Sequence, residues 1–148
     1  MQKYISISLL FILFAAVAGC GDGALKTYSV TGKVTLKGEP VVGATVSFTP
    51  KVEGQGDGAY ARTDDKGFYK LQTTQGRVDA GTTPGEYYVT ISKVDMVGTG
   101  KFTTDSEGNK KEDQKPVSVI PEQYGTAAGG LTATVEAKKG NVFNFDLE

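Results

Sequence analysis

What most constrains this chain is a two-residue rhythm of apolar side chains, interrupted roughly every ten residues by turn-forming ones. Tyr28, Val30, Gly32, Val34 and Leu36 fall on one face, and Ser29, Thr31, Lys33 and Thr35 on the other. That is the pattern of a half-buried strand, whose side chains alternate across a pleat. Lys37-Gly38-Glu39-Pro40 reads as a turn, because Gly and Pro supply the backbone angles a reversal needs. Ala44, Val46 and Phe48 resume the inward rhythm against Thr45, Ser47 and Thr49. A glycine-rich loop follows from Lys51 to Gly58.

The rest of the chain repeats this grammar. Ala59 to Thr63 predicts a short strand, Asp64-Asp65-Lys66-Gly67 a hairpin turn, and Tyr69, Leu71 and Thr73 the inner face of the next strand. After a loop over 74–83, Pro84-Gly85 opens the clearest strand, with Tyr87, Val89 and Ile91 inward and Tyr88, Thr90 and Ser92 outward. Val94 to Lys115 has no sustained period and is charged, which predicts a surface excursion holding a small hairpin. Pro116 to Ile120 reads as a separate short edge strand. Two closing strands, Leu131-Ala133-Val135 and Phe143-Phe145-Leu147, meet at Lys139-Gly140-Asn141. Seven to eight short strands with no helix among them predict an all-β antiparallel sandwich. The Cys…Trp…Cys hallmark of antibody domains is absent.

Ahead of the strands lies a segment of a different kind. Lys3 is followed by an apolar run from Tyr4 to Ala18, broken only by Ser6 and Ser8, and then by Gly19-Cys20. A charge, an apolar run and small residues at a cleavage point are the layout of a secretory signal. The run is shorter than the 20 or so residues that span a bilayer, and no cluster of Lys or Arg follows it. Val17-Ala18-Gly19-Cys20 resembles the lipobox of bacterial lipoproteins. That resemblance implies cleavage between Gly19 and Cys20, with a diacylglycerol on the Cys20 thiol through a thioether and, in many bacteria, an acyl chain on the freed amine. Two or three chains hold at a membrane where one is marginal. Residues 1–19 are thus expected to be a signal peptide, 20–27 a lipidated cysteine and short tether, and 28–148 the domain. Gly21, standing where an Asp retains some lipoproteins at the inner membrane, leans toward the outer one. The expected location is extracytoplasmic, on the cell membrane or outer membrane.

Composition excludes several chemistries. Cys20 is the chain's one cysteine and there is no histidine, which removes the commonest general base and the thiol–imidazole zinc sites. Sixteen basic residues against seventeen acidic ones argue against nucleic acid, which selects basic surfaces. No nucleophile elbow or S-x-x-K signature is present.

Four phrases carry a second resemblance: Gly32-Lys-Val34, then Gly38 to Val46, then Thr63-Asp-Asp-Lys-Gly-Phe-Tyr69, then Pro84-Gly-Glu-Tyr-Tyr-Val89. In that order they resemble carboxypeptidase regulatory-like domains, which have a transthyretin-like, Ig-like sandwich fold. The tail from Ile120-Pro-Glu-Gln-Tyr-Gly to Gly130-Leu-Thr-Ala-Thr-Val135, and Asn144-Phe-Asp-Leu147, is similar to short bacterial lipoproteins carrying that domain. The resemblance implies a non-catalytic accessory role, with no cofactor.

Site candidates are few. Tyr60, Phe68 and Tyr88 share outward parity and make a candidate aromatic platform for a sugar or a partner protein. Aromatics placed so also stabilise sheets without binding anything. Asp57, Asp64, Asp65 and Asp79 supply oxygen ligands without the spacing of an EF-hand loop, so turn chemistry is expected of them and no metal. Lys33 and Asn144 stand on strands suited to the intramolecular isopeptide bond of related adhesin domains. However, Lys33 alternates onto the polar face, where its amine stays solvated and charged. The expected function is a lipid-anchored, non-enzymatic binding or structural module of the cell envelope, held by its membrane anchor and facing an envelope protein or glycan. The alternatives are a glycan-binding accessory lipoprotein and, more weakly, a hydrolase using carboxylates alone.

Overall fold

The computed structural model describes residues 26–73 and 81–148. The first strand, β1 (Val30–Leu36), follows its alternation, with Val30, Gly32 and Val34 buried. Thr35 departs from it. The residue is buried despite its outward parity, because Pro40 and Asp146 flank it on the two neighbouring ladders, and its hydroxyl donates to the Asp146 carboxylate. The turn to β2 (Glu39–Pro40) places Lys37 and Gly38 at φ of 52° and 86°. A two-residue hairpin of matching twist requires positive φ at both positions, hence the glycine.

The chain continues through β3 (Thr45–Pro50), β4 (Ala59–Arg62), β5 (Phe68–Lys70), β6 (Gln72–Thr73) and β7 (Gly85–Ser92). Next come β8 (Val94–Thr104) and β9 (Lys110–Ser118), then two 3-10 turns at Glu122–Gly125 and Ala127–Gly129. The chain closes with β10 (Thr132–Val135), β11 (Asn141–Val142) and β12 (Phe145–Leu147). Among the described residues no helix is long and apolar enough to cross a membrane.

These strands make the expected all-β sandwich. One sheet, ordered β10-β7-β3-β4-β6, is antiparallel throughout. The other is built on β1, with β5 and β2 antiparallel to it and β11 and β12 parallel to it. First and last strands therefore run the same way, a departure from all-antiparallel pairing. Phe48 joins the layers, its ring centroid 5.9 Å from Tyr87, 6.0 Å from Phe143 and 6.5 Å from Phe145. Val30, Val34, Val46, Leu71, Val89, Ile91 and Leu147 complete the core.

The closing strand, expected as one piece, divides at Phe143-Asn144. There the Asn144 side-chain oxygen accepts the Lys33 N–H at 3.0 Å, standing in for a main-chain carbonyl. The Phe143 carbonyl turns inward instead and accepts the Tyr69 hydroxyl at 2.7 Å. That carbonyl lies where a Cβ on Gly32 would sit, which is why β1 carries a glycine in its buried row.

Two of the four sequence phrases meet in space. The buried Thr63 hydroxyl donates to the Val41 carbonyl at 2.6 Å and accepts the Ala44 N–H at 2.8 Å. Thr63 also pairs through its backbone with Gly43 and Ala44. The phrases are thus joints of the fold.

The excursion over 94–115 is a two-stranded ribbon of β8 and β9 that pairs with no other strand among the described residues. Pro116–Ser118, expected in a separate strand, continues β9, because Met96, Asp95 and Val94 pair with it. Val119 N–H then closes the ribbon on the Lys93 carbonyl at 2.9 Å. The tip at Asp105 repeats the turn at Asp64: in each, the Asp side chain accepts N–H groups two and four residues on, and a glycine three residues on takes positive φ.

Candidate functional site: the outer face of the five-stranded sheet

Alternation along five strands decides what this face presents. With Val46, Phe48, Ala59, Ala61, Tyr87, Val89 and Ile91 spent on the core, the outward positions carry hydroxyls. Thr45, Ser47 and Thr49 come from β3, Thr90 and Ser92 from β7, and Thr132 and Thr134 from β10. Two tyrosines rise from this floor, Tyr60 on β4 at 39% exposure and Tyr88 on β7 at 38%.

Register fixes their spacing. Tyr60 lies across from Ser47, and Ser47 across from Thr90, two residues along β7 from Tyr88. Two strand spacings and two residues of rise put their Cα atoms about 12 Å apart. Phe68 is also exposed, but it belongs to β5 in the other sheet. The three aromatics therefore do not form one platform: Tyr60 and Tyr88 share a face, and Phe68 stands apart under the Lys33 ammonium, 5.6 Å from its ring centroid.

Around Tyr88 the groups are polar and close. Lys51 Nζ lies 5.7 Å from the ring centroid and 3.6 Å from a Glu86 carboxylate oxygen. Glu86 forms one wall of a cleft of about 200 Å³ with Pro50, Val52, Gln55 and Gly85. The loop bearing this cleft is pinned from beneath. Lys51 N–H donates to the Glu86 carbonyl at 2.9 Å, Thr82 donates its hydroxyl to the Asp57 carbonyl at 2.7 Å, and Asp57 N–H donates to the Thr83 hydroxyl. The buried Tyr87 hydroxyl donates to the Thr83 carbonyl at 2.7 Å and lies within 3.0 Å of both threonine hydroxyls.

The other nominated residues fall elsewhere. Cys20, Gly19 and Asp79 lie outside the described residues. Asp64 binds its own turn through Lys66 and Phe68 N–H groups, and Asp57 is held through its backbone. Among the described residues no three acidic side chains converge as metal ligands do. Lys33 on β1 and Asn144, in the break between β11 and β12, are neighbours, as an isopeptide bond requires. Even so, both point outward, and the amine sits over Phe68 while the amide oxygen holds a backbone N–H. The Asp105 carboxyl is held below the usual carboxylate range, first by the Asn109 backbone N–H, then by the Asn109 side chain and the rest of its turn. Burial pushes the Tyr69 phenol well above its ordinary value.

Sequence reasoning had not singled out Lys51, Gln55 and Glu86. Glu86 shares the parity of Tyr88 and was within reach. Lys51 and Gln55 belong to a loop whose approach to β7 no local pattern encodes.

No family model matches this chain, and no curated protein matches it in sequence. Among solved structures, a 9R-lipoxygenase from Cyanothece PCC8801 is 14% identical with a TM-score of 0.37, over 82% of this chain and 16% of its own. A DUF3823 family protein from Parabacteroides merdae is 13% identical with a TM-score of 0.39, over 83% of this chain and 46% of its own. The chain spans less than half the length of either.

Proposed function

We propose that this chain is a lipid-anchored, non-enzymatic binding module of the cell envelope, and that the hydroxyl-lined face bearing Tyr60 and Tyr88 takes a glycan. The observation that carries the reading is the pairing of two exposed aromatic rings with a floor of short hydroxyl side chains on one rigid sheet. Sugars present apolar C–H faces and many hydroxyls, and such a surface offers stacking and hydrogen bonding together. Glu86 on β7 and Gln55 on the loop pinned against it add acceptors and donors at one end, and that pinning lowers the entropic cost of binding.

Anchoring rests on the lipobox-like Val17-Ala18-Gly19-Cys20 at the end of an apolar run. The carboxypeptidase regulatory-like resemblance supports an accessory role.

The test is retention of the protein on insoluble envelope polysaccharides. Wild-type chain should sediment with at least one of them. Tyr88→Ala and Tyr60→Ala should each weaken retention at least tenfold, while Phe68→Ala on the opposite sheet leaves it unchanged. Retention indifferent to both tyrosines would overturn the reading.

A further inference from the structure

The face offered to a glycan differs from one end to the other. Its outward side chains fall in rows set by register: Tyr88 beside Thr49, then Thr90, Ser47 and Tyr60, then Ser92, Thr45 and Arg62. Arg62 follows Tyr60 by two residues on β4, about 7 Å along the strand. Its guanidinium lies over the turn into β3, where a Cβ on Gly43 would meet Nη2 at 3.4 Å and Nε at 3.5 Å. With Gly43 at φ 71°, the fork rests against bare backbone.

The charge at this end is unanswered. Among the described residues the Arg62 guanidinium has no ion pair and no hydrogen-bond acceptor, and the Thr45 and Ser92 hydroxyls in its row have no protein partner. Lys51 and Lys93 are paired with Glu86 and Asp95. Asp64, two residues beyond Arg62, accepts the Lys66 and Phe68 N–H groups of its own turn. The far end is acidic instead: Glu86 borders the cleft, and Glu53 and Asp57 belong to its loop. A ligand on this face therefore meets a cation past Tyr60 and carboxylates past Tyr88.

A guanidinium stays charged at every pH a folded protein meets. Its planar fork matches a carboxylate edge to edge through two parallel hydrogen bonds. Salt screens exposed charges beyond about 10 Å, so the carboxylate that gains most is one brought into contact by a sugar stacked on Tyr60. We propose, building on the glycan reading, that the ligand is an acidic polysaccharide whose uronate carboxylate docks on Arg62 and the Thr45 and Ser92 hydroxyls. Its neutral sugars then lie toward Tyr88 and Glu86.

The probes are hyaluronan and polygalacturonate on agarose, each with its carboxyls free or methyl-esterified, and dextran sulfate on the same support. At physiological salt the full chain in detergent should be retained on at least one free acid about tenfold better than on its ester. Arg62→Gln should remove that preference. Arg62→Lys, which keeps the charge and loses the fork, should retain only part of it, and Lys115→Gln on the ribbon should leave it unchanged. Equal retention of acid and ester would overturn the proposal, and if that retention needs Tyr60 the glycan reading still stands. Retention on neither free acid would also overturn it, while the envelope polysaccharides test the glycan reading separately. An Arg62-dependent preference that ignores Tyr60→Ala would sink both. Dextran sulfate retaining the chain as well as the free acid does would mean anion exchange alone and contradict the proposal. Circular dichroism of each variant establishes that the sandwich is intact.

Discussion

At the scale of single residues the sandwich is held by a few contacts that admit no substitute. A methyl group at Gly32 meets the Phe143 carbonyl, and backbone yields less readily than side chain. Gly32→Ala should therefore cost about 3 kcal/mol in urea unfolding, at the upper end for overpacking. Tyr69→Phe removes only the hydroxyl bonded to that carbonyl and should cost about 1 kcal/mol. Thr63→Val keeps the shape but strands the Ala44 N–H and the Val41 carbonyl in a buried site, for about 2 kcal/mol. A Thr63→Val protein as stable as the wild type would show that the Thr63 joint is not needed. All three positions stood out in the sequence as parts of recurring phrases. Why they are fixed was not legible, because their partners, Phe143 and the Val41–Ala44 corner, are far along the chain.

At the scale of elements, the tip turn of the ribbon depends on pH. Asp105 is depressed by its turn hydrogen bonds, so its contribution is present above the ordinary carboxylate pKa and is lost as pH falls through the lower folded value. Amide exchange at Gly108 and Asn109 should quicken in acid below about pH 4. Asp105→Asn keeps an acceptor oxygen and should make that exchange independent of carboxylate titration; persistence of the acid step in the variant would assign it elsewhere. The cleft loop has its own keystone. Tyr87→Phe should loosen residues 51–58, raising their exchange rates while the inner strands stay protected. Inner strands were readable from period two alone. The ribbon was not, since a strand exposed on both faces has no apolar rhythm to display, and its pairing with Pro116–Ser118 depends on partners twenty or more residues away.

At the scale of the molecule, the proposed function rests on two features: a lipobox-like segment before the domain and a hydroxyl-rich sheet face within it. Cys20→Ser should shift the chain from the membrane to the soluble fraction of the producing cells and remove the mass of the acyl chains. A membrane-bound Cys20→Ser protein would contradict the lipobox reading. The proposed anchor rests on local sequence alone, four residues at the end of an apolar run. The proposed binding face was legible only in part. Parity gave the exposure of Tyr60, Phe68 and Tyr88, but parity is blind to which sheet a strand joins, and so it grouped Phe68 with residues on the far side of the sandwich.

The most direct measurement maps the ligand onto the protein. Backbone amide resonances are followed while a soluble oligosaccharide from the envelope polysaccharide that retains the chain is titrated in. The account predicts saturable shifts confined to Thr49, Lys51, Gln55, Tyr60, Glu86, Tyr88 and their neighbours on that face. Shifts centred on Phe68 and the β1 sheet would contradict it, as would no shifts at a concentration where the polysaccharide retains the protein.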